Sequence, residues 1–512
     1  MELIKKNIII NRPVKCGTTE IGVDGDIIVP DIKPDILKIL QVDGKAIVCD
    51  TELSEGRLTV SGRIDLNILY VPDRDDEKIK CIETSFDFLN HLDKPEIMPD
   101  MQISAEAEII KLDFHALNSR KLRIKTIVGI SYEISEQASL ELATETENEN
   151  SEVLITPIEL NSLVDLKHSE FSIRESFELP PGHSSIEEIL KTDVKICDTD
   201  YKIISGRVAL KGSINFSCLY LDTDCTVRCC DFEAGFTELF DITDADEETS
   251  CDISFFVKEI SVHPETDSDG DMKILSLDAE IAVRIIATKK VSTDILIDCF
   301  LPGNETEIIK KPAELEKSVS SGFYQTTLRE IISSDSGCPT LKGIYNVFAT
   351  PTVEKTEISD DKVLVSGQVS CCILYIAESE ETPVYSMKKS IPFSFYIDTP
   401  GSRSGMICSL DLKIIHTSYN LNPANESEIR CILTASARIS EKNTLELIDE
   451  VEILPLASES KKGIVLYFVQ KNDTLWDIAK RYYVSQKDIL AANNLEDSTS
   501  FCEGMPLLIP TA

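Results

Sequence analysis

The chain has 512 residues, of which 42% are hydrophobic, and its formal net charge at pH 7 is −38. This length predicts about three to four domains, and the apolar fraction is too high for a disordered chain. A surface this acidic repels nucleic acid and anionic lipid, since both bind proteins through positive patches. The first twelve residues lack a signal-peptide core, and no apolar run is long enough to span a membrane. We therefore expect a cytosolic protein without membrane insertion.

Three short stretches along the chain have the start signals of helices. They are residues 35–40, 185–190 and 327–332. Each begins with Asp, Ser or Thr, whose side-chain oxygen can cap a helix, and the second and third have Glu three residues later, as in a capping box. We predict one short helix at each of the three stretches.

A strand pattern with a central glycine recurs three times and ends each time in Leu-Tyr. The three copies contain Gly62 with Leu69-Tyr70, Gly212 with Leu219-Tyr220, and Gly367 with Leu374-Tyr375. Gly62 and Gly212 lie 150 positions apart, and Gly212 and Gly367 lie 155 positions apart. A strand glycine permits a bulge or a close backbone approach, and Leu-Tyr packs at the edge of a core. We favour this packing interpretation over a ligand site.

Segments with period-two alternation lie near the end of each repeat, at 122–128, 274–283 and 429–435. The fold class predicted for the chain is therefore mainly β with short helices, in three repeated β-rich domains. Their predicted spans are 1–155, 156–312 and 313–457. A small strand–helix–helix–strand module follows at 465–510.

The last 45 or so residues are read as this βααβ module because two helix caps lie between two strand patterns. Thr474 with Asp477 forms a capping box for the first helix, and Ser485 caps the second. Leu507 and Ile509 alternate on the final strand.

The same segment resembles the LysM family. The matching residues include Val469, Asp473-Thr474-Leu475, Ile478-Ala479, Tyr482, Val484-Ser485, Asn494-Leu495, Gly504, Leu507 and Ile509-Pro510. Asn472 stands where the family usually has Gly, and Asn tolerates positive φ better than most residues.

The LysM resemblance implies binding of peptidoglycan or another glycan that contains N-acetylglucosamine (GlcNAc). Carried over to this sequence, the groove contains Asn472, Asp473, Thr474, Leu475, Asn494 and Leu495. The alternative is that Asp473 and Thr474 only cap the helix and Leu475 only packs. Trp476 either stacks on a sugar or presents an apolar patch to a protein.

The sequence contains no recognisable catalytic or metal-binding motif. HExxH, P-loop and GxSxG patterns are absent, and the six histidines are isolated from one another. Cys225 with Cys229-Cys230 lacks a second ligand pair, and Asp267–Asp271 is read as a hairpin turn rather than a calcium loop. The cysteines form no CxxC pattern and suit a reducing compartment. We expect no enzymatic activity, no metal and no cofactor.

Three such repeats followed by one LysM module resemble the SPOCS-domain spore-coat morphogenetic proteins of clostridia. This resemblance implies a non-enzymatic scaffold, made in the mother-cell cytosol and recruited to the forespore surface, that helps the coat encase the forespore. It also implies that the LysM tail docks on the basement-layer ATPase of the coat, stage IV sporulation protein A. The alternatives are a peptidoglycan-binding anchor and a wall hydrolase with its catalytic site in a β domain.

Overall fold

The computed structural model describes residues 1–74, 79–333, 339–378, 384–422, 426–455, 463–495 and 502–511. Up to residue 455 every regular element among them is a β-strand. Six strands form unit 1: β1 (Leu3–Ile28), β2 (Ile36–Ser54), β3 (Arg57–Pro72), β4 (Lys80–Asp93), β5 (Gln102–Asn118) and β6 (Lys121–Thr146).

Units 2 and 3 repeat this order of strands. Unit 2 comprises β7 (Glu152–Glu178), β8 (Ile186–Ile204), β9 (Arg207–Asp222), β10 (Val227–Asp241), β11 (Thr249–Thr266) and β12 (Met272–Phe300). Unit 3 comprises β13 (Glu305–Ile332), β14 (Leu341–Ser359), β15 (Lys362–Ala377), β16 (Val384–Asp398), β17 (Ile407–Leu421) and β18 (Ser427–Leu454). The predicted divisions after residues 155 and 312 fall inside β7 and β13.

Each unit contains two three-stranded antiparallel sheets that share one hydrophobic core. In unit 1 the sheets have the orders β1-β6-β5 and β2-β3-β4, and units 2 and 3 repeat this arrangement. Ile64 of β3 and Ile124 of β6 are fully buried in one cluster, so the inner faces of the two sheets pack together. The predicted fold class is confirmed for the repeats, apart from their helices.

The helices predicted at 35–40 and 185–190 are wrong, because these residues lie at the start of β2 and β8. Two β-bulges near the start of β2 shift its pairing with β3. Ile36 packs in the core of unit 1 and Leu40 in a separate apolar cluster, so this buried pair does not form one helix face. The equivalent buried pair in β8 is Ile186 and Leu190. Asp35, the expected cap, accepts from Ser119 Oγ at 2.9 Å and from Arg120 at 2.6 Å instead.

The third predicted helix, at 327–332, is also wrong and lies outside the repeat register. These residues are the end of β13, where they pair with β18. The strand equivalent to β2 begins instead at Leu341, and it has the same two bulges near its start.

The repeated glycines lie in the central strands of their sheets, opposite aromatic side chains. Gly62 pairs with Phe88, and a Cβ built at Gly62 would overlap the Phe88 ring. The same overlap occurs between Gly212 and Phe236. An aromatic ring that covers a strand glycine stabilises the sheet where the glycine itself contributes no side chain. The glycines therefore have a packing role.

The Leu-Tyr pairs divide between two cores because neighbouring residues of a strand face opposite sides. Tyr70 packs in the core of unit 1, where its hydroxyl donates to the Pro34 carbonyl at 3.1 Å. The preceding leucines face the other way and meet in an apolar cluster between the units, here called the hub. Its buried members are Leu40, Leu69, Val71, Ile79, Cys81, Leu190, Leu219, Leu221, Val227, Leu374 and Val384.

Polar contacts around the hub also join the units in pairs. The Asn67 amide donates to the Leu190 carbonyl at 2.9 Å, between units 1 and 2. The Asn346 amide donates to Ser217 Oγ at 3.3 Å, between units 3 and 2. A second apolar cluster joins the far ends of the long strands, through Ile8, Ile10, Leu142, Leu160, Ile295 and Leu447. The three units therefore form one body around a common apolar centre.

The C-terminal module has the predicted βααβ order, with β19 (Gly463–Phe468), α1 (Leu475–Tyr482), α2 (Gln486–Ala492) and β20 (Pro506–Thr511). β19 and β20 pair antiparallel, and Phe468 lies opposite Pro506. Residues 456–457, at the end of the third predicted span, and 496–501, inside the module, lie outside the described residues. Among the described residues, no helix has the length and apolar character needed to cross a membrane.

Candidate binding site

The two helix caps of the C-terminal module form as the sequence predicts. Thr474 Oγ1 accepts from the Asp477 backbone N–H at 3.1 Å, and Asp477 Oδ2 accepts from the Thr474 backbone N–H at 3.2 Å. Ser485 Oγ accepts from the Asp488 N–H at 3.1 Å. Thr474 therefore caps α1, while its side chain remains exposed to solvent.

The two loops that form the expected groove leave the same end of the small sheet. One follows β19 and the other precedes β20, and the paired residues Phe468 and Pro506 lie at that end. Asn472 in the first loop and Asn494 in the second both adopt a positive φ, of 68° and 55°. Both asparagines are exposed. Asn472 thus adopts the backbone conformation that favours the glycine usual at this position.

The other expected groove residues are held by contacts inside the module. Asp473 Oδ2 accepts from the Tyr467 hydroxyl at 2.5 Å and from the Gln470 N–H at 2.9 Å. The Tyr467 hydrogen bond is the main cause that lowers the pKa of the Asp473 carboxyl. Leu475 is buried in the core of the module, and Leu495 is half-buried against it. The exposed polar groups of the expected groove are therefore Asn472, Thr474 and Asn494.

Trp476 lies at the junction between the module and unit 2. Its ring packs edge-on against Phe300, with 5.1 Å between ring centroids, and only 8% of the residue is exposed. Its indole N–H donates to Asp298 Oδ2 at 2.8 Å, and Lys480 Nζ donates to Asp298 Oδ1 at 2.5 Å. In this arrangement unit 2 covers the ring of Trp476.

Further contacts at the same junction involve backbone groups. The Gly303 N–H donates to the Tyr483 carbonyl at 2.7 Å. Glu152 accepts from the Gln486 backbone and side-chain amides at 3.2 and 3.1 Å. Glu152 pairs with Phe300 across β7 and β12, so these contacts lie at one end of unit 2.

No pattern in the sequence indicates the residues of unit 2 that hold the module. Asp298 precedes Lys480 by 182 positions and Trp476 by 178 positions. Phe300 ends an ordinary alternating strand. No local motif marks such a contact, since it exists only in the folded chain. The one sequence signal was Trp476, the single tryptophan of the chain. It suggested that this side chain makes a contact, but it did not identify the residue contacted.

A cavity of about 920 Å³ lies between the three units, and its charged side chains join one unit to another. Arg284 of unit 2 lies 3.3 Å from the Glu133 carboxylate of unit 1. Arg438 of unit 3 forms an ion pair with Asp252 of unit 2. Among the described residues, no group of three or more His, Cys, Asp or Glu side chains is placed to hold a metal ion.

Comparison with family models identifies the repeats and the module. The model described as SipL, SPOCS domain, matches residues 35–117, 185–265 and 341–422. Each match runs from the strand equivalent to β2 into, or just past, the strand equivalent to β5. The LysM domain model matches residues 467–510. A search of curated proteins and a search of solved structures found no significant match.

Proposed function

We propose that this chain, which carries three SPOCS domains and a C-terminal LysM domain, is a non-enzymatic scaffold for assembly of the spore coat. The domain set fits a sporulation protein with a peptidoglycan-binding module. In the proposed role the LysM domain docks on a coat morphogenetic protein. The SPOCS–LysM resemblance implies that this partner is the basement-layer ATPase, stage IV sporulation protein A.

The observation that carries the scaffold proposal is the attachment of the LysM domain to the SPOCS body. Unit 2 binds α1 through Asp298 and Phe300, while Asn472, Thr474 and Asn494 remain exposed. A domain held in this way has one orientation relative to the three units. It can therefore position the whole SPOCS body when it binds a partner on the forespore.

The acidic surface supports protein contacts rather than contacts with nucleic acid or anionic lipid. A net charge of −38 favours partners with basic surfaces and speeds their association at low salt. The proposed site of action is the mother-cell side of the forespore surface. Several contacts by SPOCS and LysM domains on one chain would raise the avidity for a coat layer without any single strong contact.

A peptidoglycan anchor is the second candidate, and the exposed asparagines favour it. Asn472 and Asn494 offer amide donors and acceptors, and Thr474 offers a hydroxyl. Such groups suit the hydroxyl and acetamido groups of a GlcNAc glycan. A glycan-binding groove and a protein-binding surface can coexist on one LysM domain.

The test uses the purified full-length chain with two ligands. Binding to purified stage IV sporulation protein A is measured by isothermal titration calorimetry, and binding to purified peptidoglycan by co-sedimentation. We expect saturable binding of the ATPase. Retention by peptidoglycan without binding of the ATPase would favour the anchor. Release of soluble muropeptides from the same peptidoglycan would contradict the non-enzymatic part of the proposal.

A further inference from the structure

The small sheet of the LysM domain has an apolar face on the side away from its helices. Ile464, Leu466 and Phe468 alternate along β19 and are 71%, 56% and 52% exposed. On β20, Leu508 pairs with Leu466 and is 41% exposed. Pro506 and Pro510 pair with Phe468 and Ile464 and complete this surface. These six residues are here called the outer face, and none of them is charged.

Among the described residues, the contacts that attach the domain to unit 2 do not involve this face. The opposite face of the sheet, with Val465 and Leu507, packs on the helices. The helices in turn contact unit 2 through Trp476, Lys480 and Gln486. The outer face is therefore separated from the SPOCS body by the helical layer.

The dimensions of the outer face suit one helix. Two strands about 4.8 Å apart and six residues of about 3.4 Å each give a strip roughly 10 Å wide and 20 Å long. An α-helix with its side chains is roughly 10 Å across. An amphipathic helix of about three to four turns could cover the strip with its apolar side.

A second copy of the chain does not suit the outer face. Its exposed apolar area is on the order of 500 Å², below the roughly 800 Å² that each partner contributes to a standard interface. Two chains that each carry a net charge of −38 also repel each other. The same charge attracts a partner whose apolar surface has basic neighbours.

We infer that the outer face is the docking surface for an amphipathic helix with basic flanking residues, presented by the protein partner in the coat. This inference rests on the proposed function, because it names the LysM surface that the partner contacts. The expected glycan groove lies at the sheet end, beyond Phe468 and Pro506, and is a separate surface. Protein binding and glycan binding are therefore expected to respond to different substitutions.

The test compares two double variants of the full-length chain in titrations with purified stage IV sporulation protein A. Leu466→Ser with Leu508→Ser removes the centre of the outer face. Ile28→Ser with Ile32→Ser is the matched control, because these isoleucines of unit 1 are 69% and 92% exposed. We expect the first variant to lose affinity about tenfold or more and the control to stay within about twofold of the wild type.

Additional measurements separate a binding defect from a folding defect and from other occupants. The single variant Phe468→Ser is expected to weaken binding in the same direction, and unchanged Trp476 emission would show that the domain remains docked. Hydrogen exchange is expected to protect one helical segment of the ATPase on binding.

Other outcomes would overturn the inference. Wild-type affinity in both outer-face variants would overturn it while leaving the proposed function standing. A wild-type chain that does not bind the ATPase would overturn the proposed function as well. A wild-type dimer that dissociates in the first variant would identify a second copy as the occupant. Binding to anionic lipid vesicles that is lost in that variant would identify a membrane.

Discussion

The hub and the LysM junction are two ways of joining domains in one chain, and they differ in chemistry. The hub is apolar, and each of the three units contributes the equivalent leucine to it: Leu69, Leu219 and Leu374. The LysM junction occurs once, at unit 2, and combines a Trp476–Phe300 ring contact with hydrogen bonds to Asp298. The hub makes the three units depend on one another. The junction attaches a domain that has its own core.

The largest effect should follow from a charge in the hub. Leu219→Asp places a carboxylate where only 1% of the leucine is exposed. Burial of an unpaired charge should lower the free energy of unfolding by about 4 kcal/mol or more. Urea denaturation measures this loss, and Leu239→Asp is the control because Leu239 is 60% exposed in the same unit. Equal stability of the two variants would contradict the assignment of the hub.

A substitution at the LysM junction should detach the LysM domain without unfolding the three units. Phe300→Ala removes a fully buried ring that packs on Trp476. We expect a loss of about 3 kcal/mol in the stability of the docked LysM domain, with little change in the SPOCS body. Trp476 is the single tryptophan of the chain, so its emission should shift to the red on detachment.

Phe323→Ala serves as the control for this experiment, since Phe323 is 65% exposed. Its emission should match that of the wild type. An unshifted spectrum in Phe300→Ala would contradict the claim that the Phe300 ring is needed to hold Trp476 at the junction.

A smaller effect is expected inside one sheet of the SPOCS body. Gly212→Ala adds a methyl group that overlaps the Phe236 ring. Overpacking of this kind should cost about 2 kcal/mol. Gly235→Ala is the matched control, because its added Cβ would lie 4.0 Å from the Gly212 carbonyl oxygen, the nearest atom among the described residues. The midpoint temperature of thermal unfolding should be higher for Gly235→Ala than for Gly212→Ala. The reverse order would contradict the packing of Phe236 on Gly212.

The smallest effect should depend on pH and be confined to the LysM domain. Hydrogen bonds from Tyr467 and Gln470 lower the pKa of the Asp473 carboxyl in the folded state. Its stabilising contribution is therefore present above the unfolded pKa of about 4 and is lost as the pH falls through the lower folded value. Asp473→Asn should be less stable than the wild type at pH 7, with the difference shrinking towards pH 3. Urea titrations followed by Trp476 emission measure the stability of the variant and of the wild type at each pH. A stability difference that does not change with pH would exclude the Asp473 carboxylate as its source.

The sequence predicted the parts of this structure that depend on local signals. Thr474 and Ser485 cap the two helices because capping involves residues only three positions apart. The repeats were visible because Gly and Leu-Tyr recur in register. The helices at 35–40 and 185–190 were wrong because a cap-type residue is a local signal, whereas the residues after Asp35 and Ser185 pair with the neighbouring strands β3 and β9.

Local sequence signals did not predict the contacts between residues that are far apart in the sequence. The leucine of each Leu-Tyr pair was predicted to pack, but its partners are leucines about 150 residues away. The placement of Trp476 against Phe300 depends on how unit 2 ends, which no pattern near either residue indicates.

In the proposed function, the LysM domain brings the SPOCS body to the forespore by binding a coat protein. The most direct measurement is the localisation of a fluorescent fusion of the full-length chain in sporulating cells, with and without stage IV sporulation protein A. The proposal expects a ring around the forespore that disappears in cells without the ATPase. A ring that persists without the ATPase, or a signal that stays in the mother-cell cytosol when the ATPase is present, would contradict it.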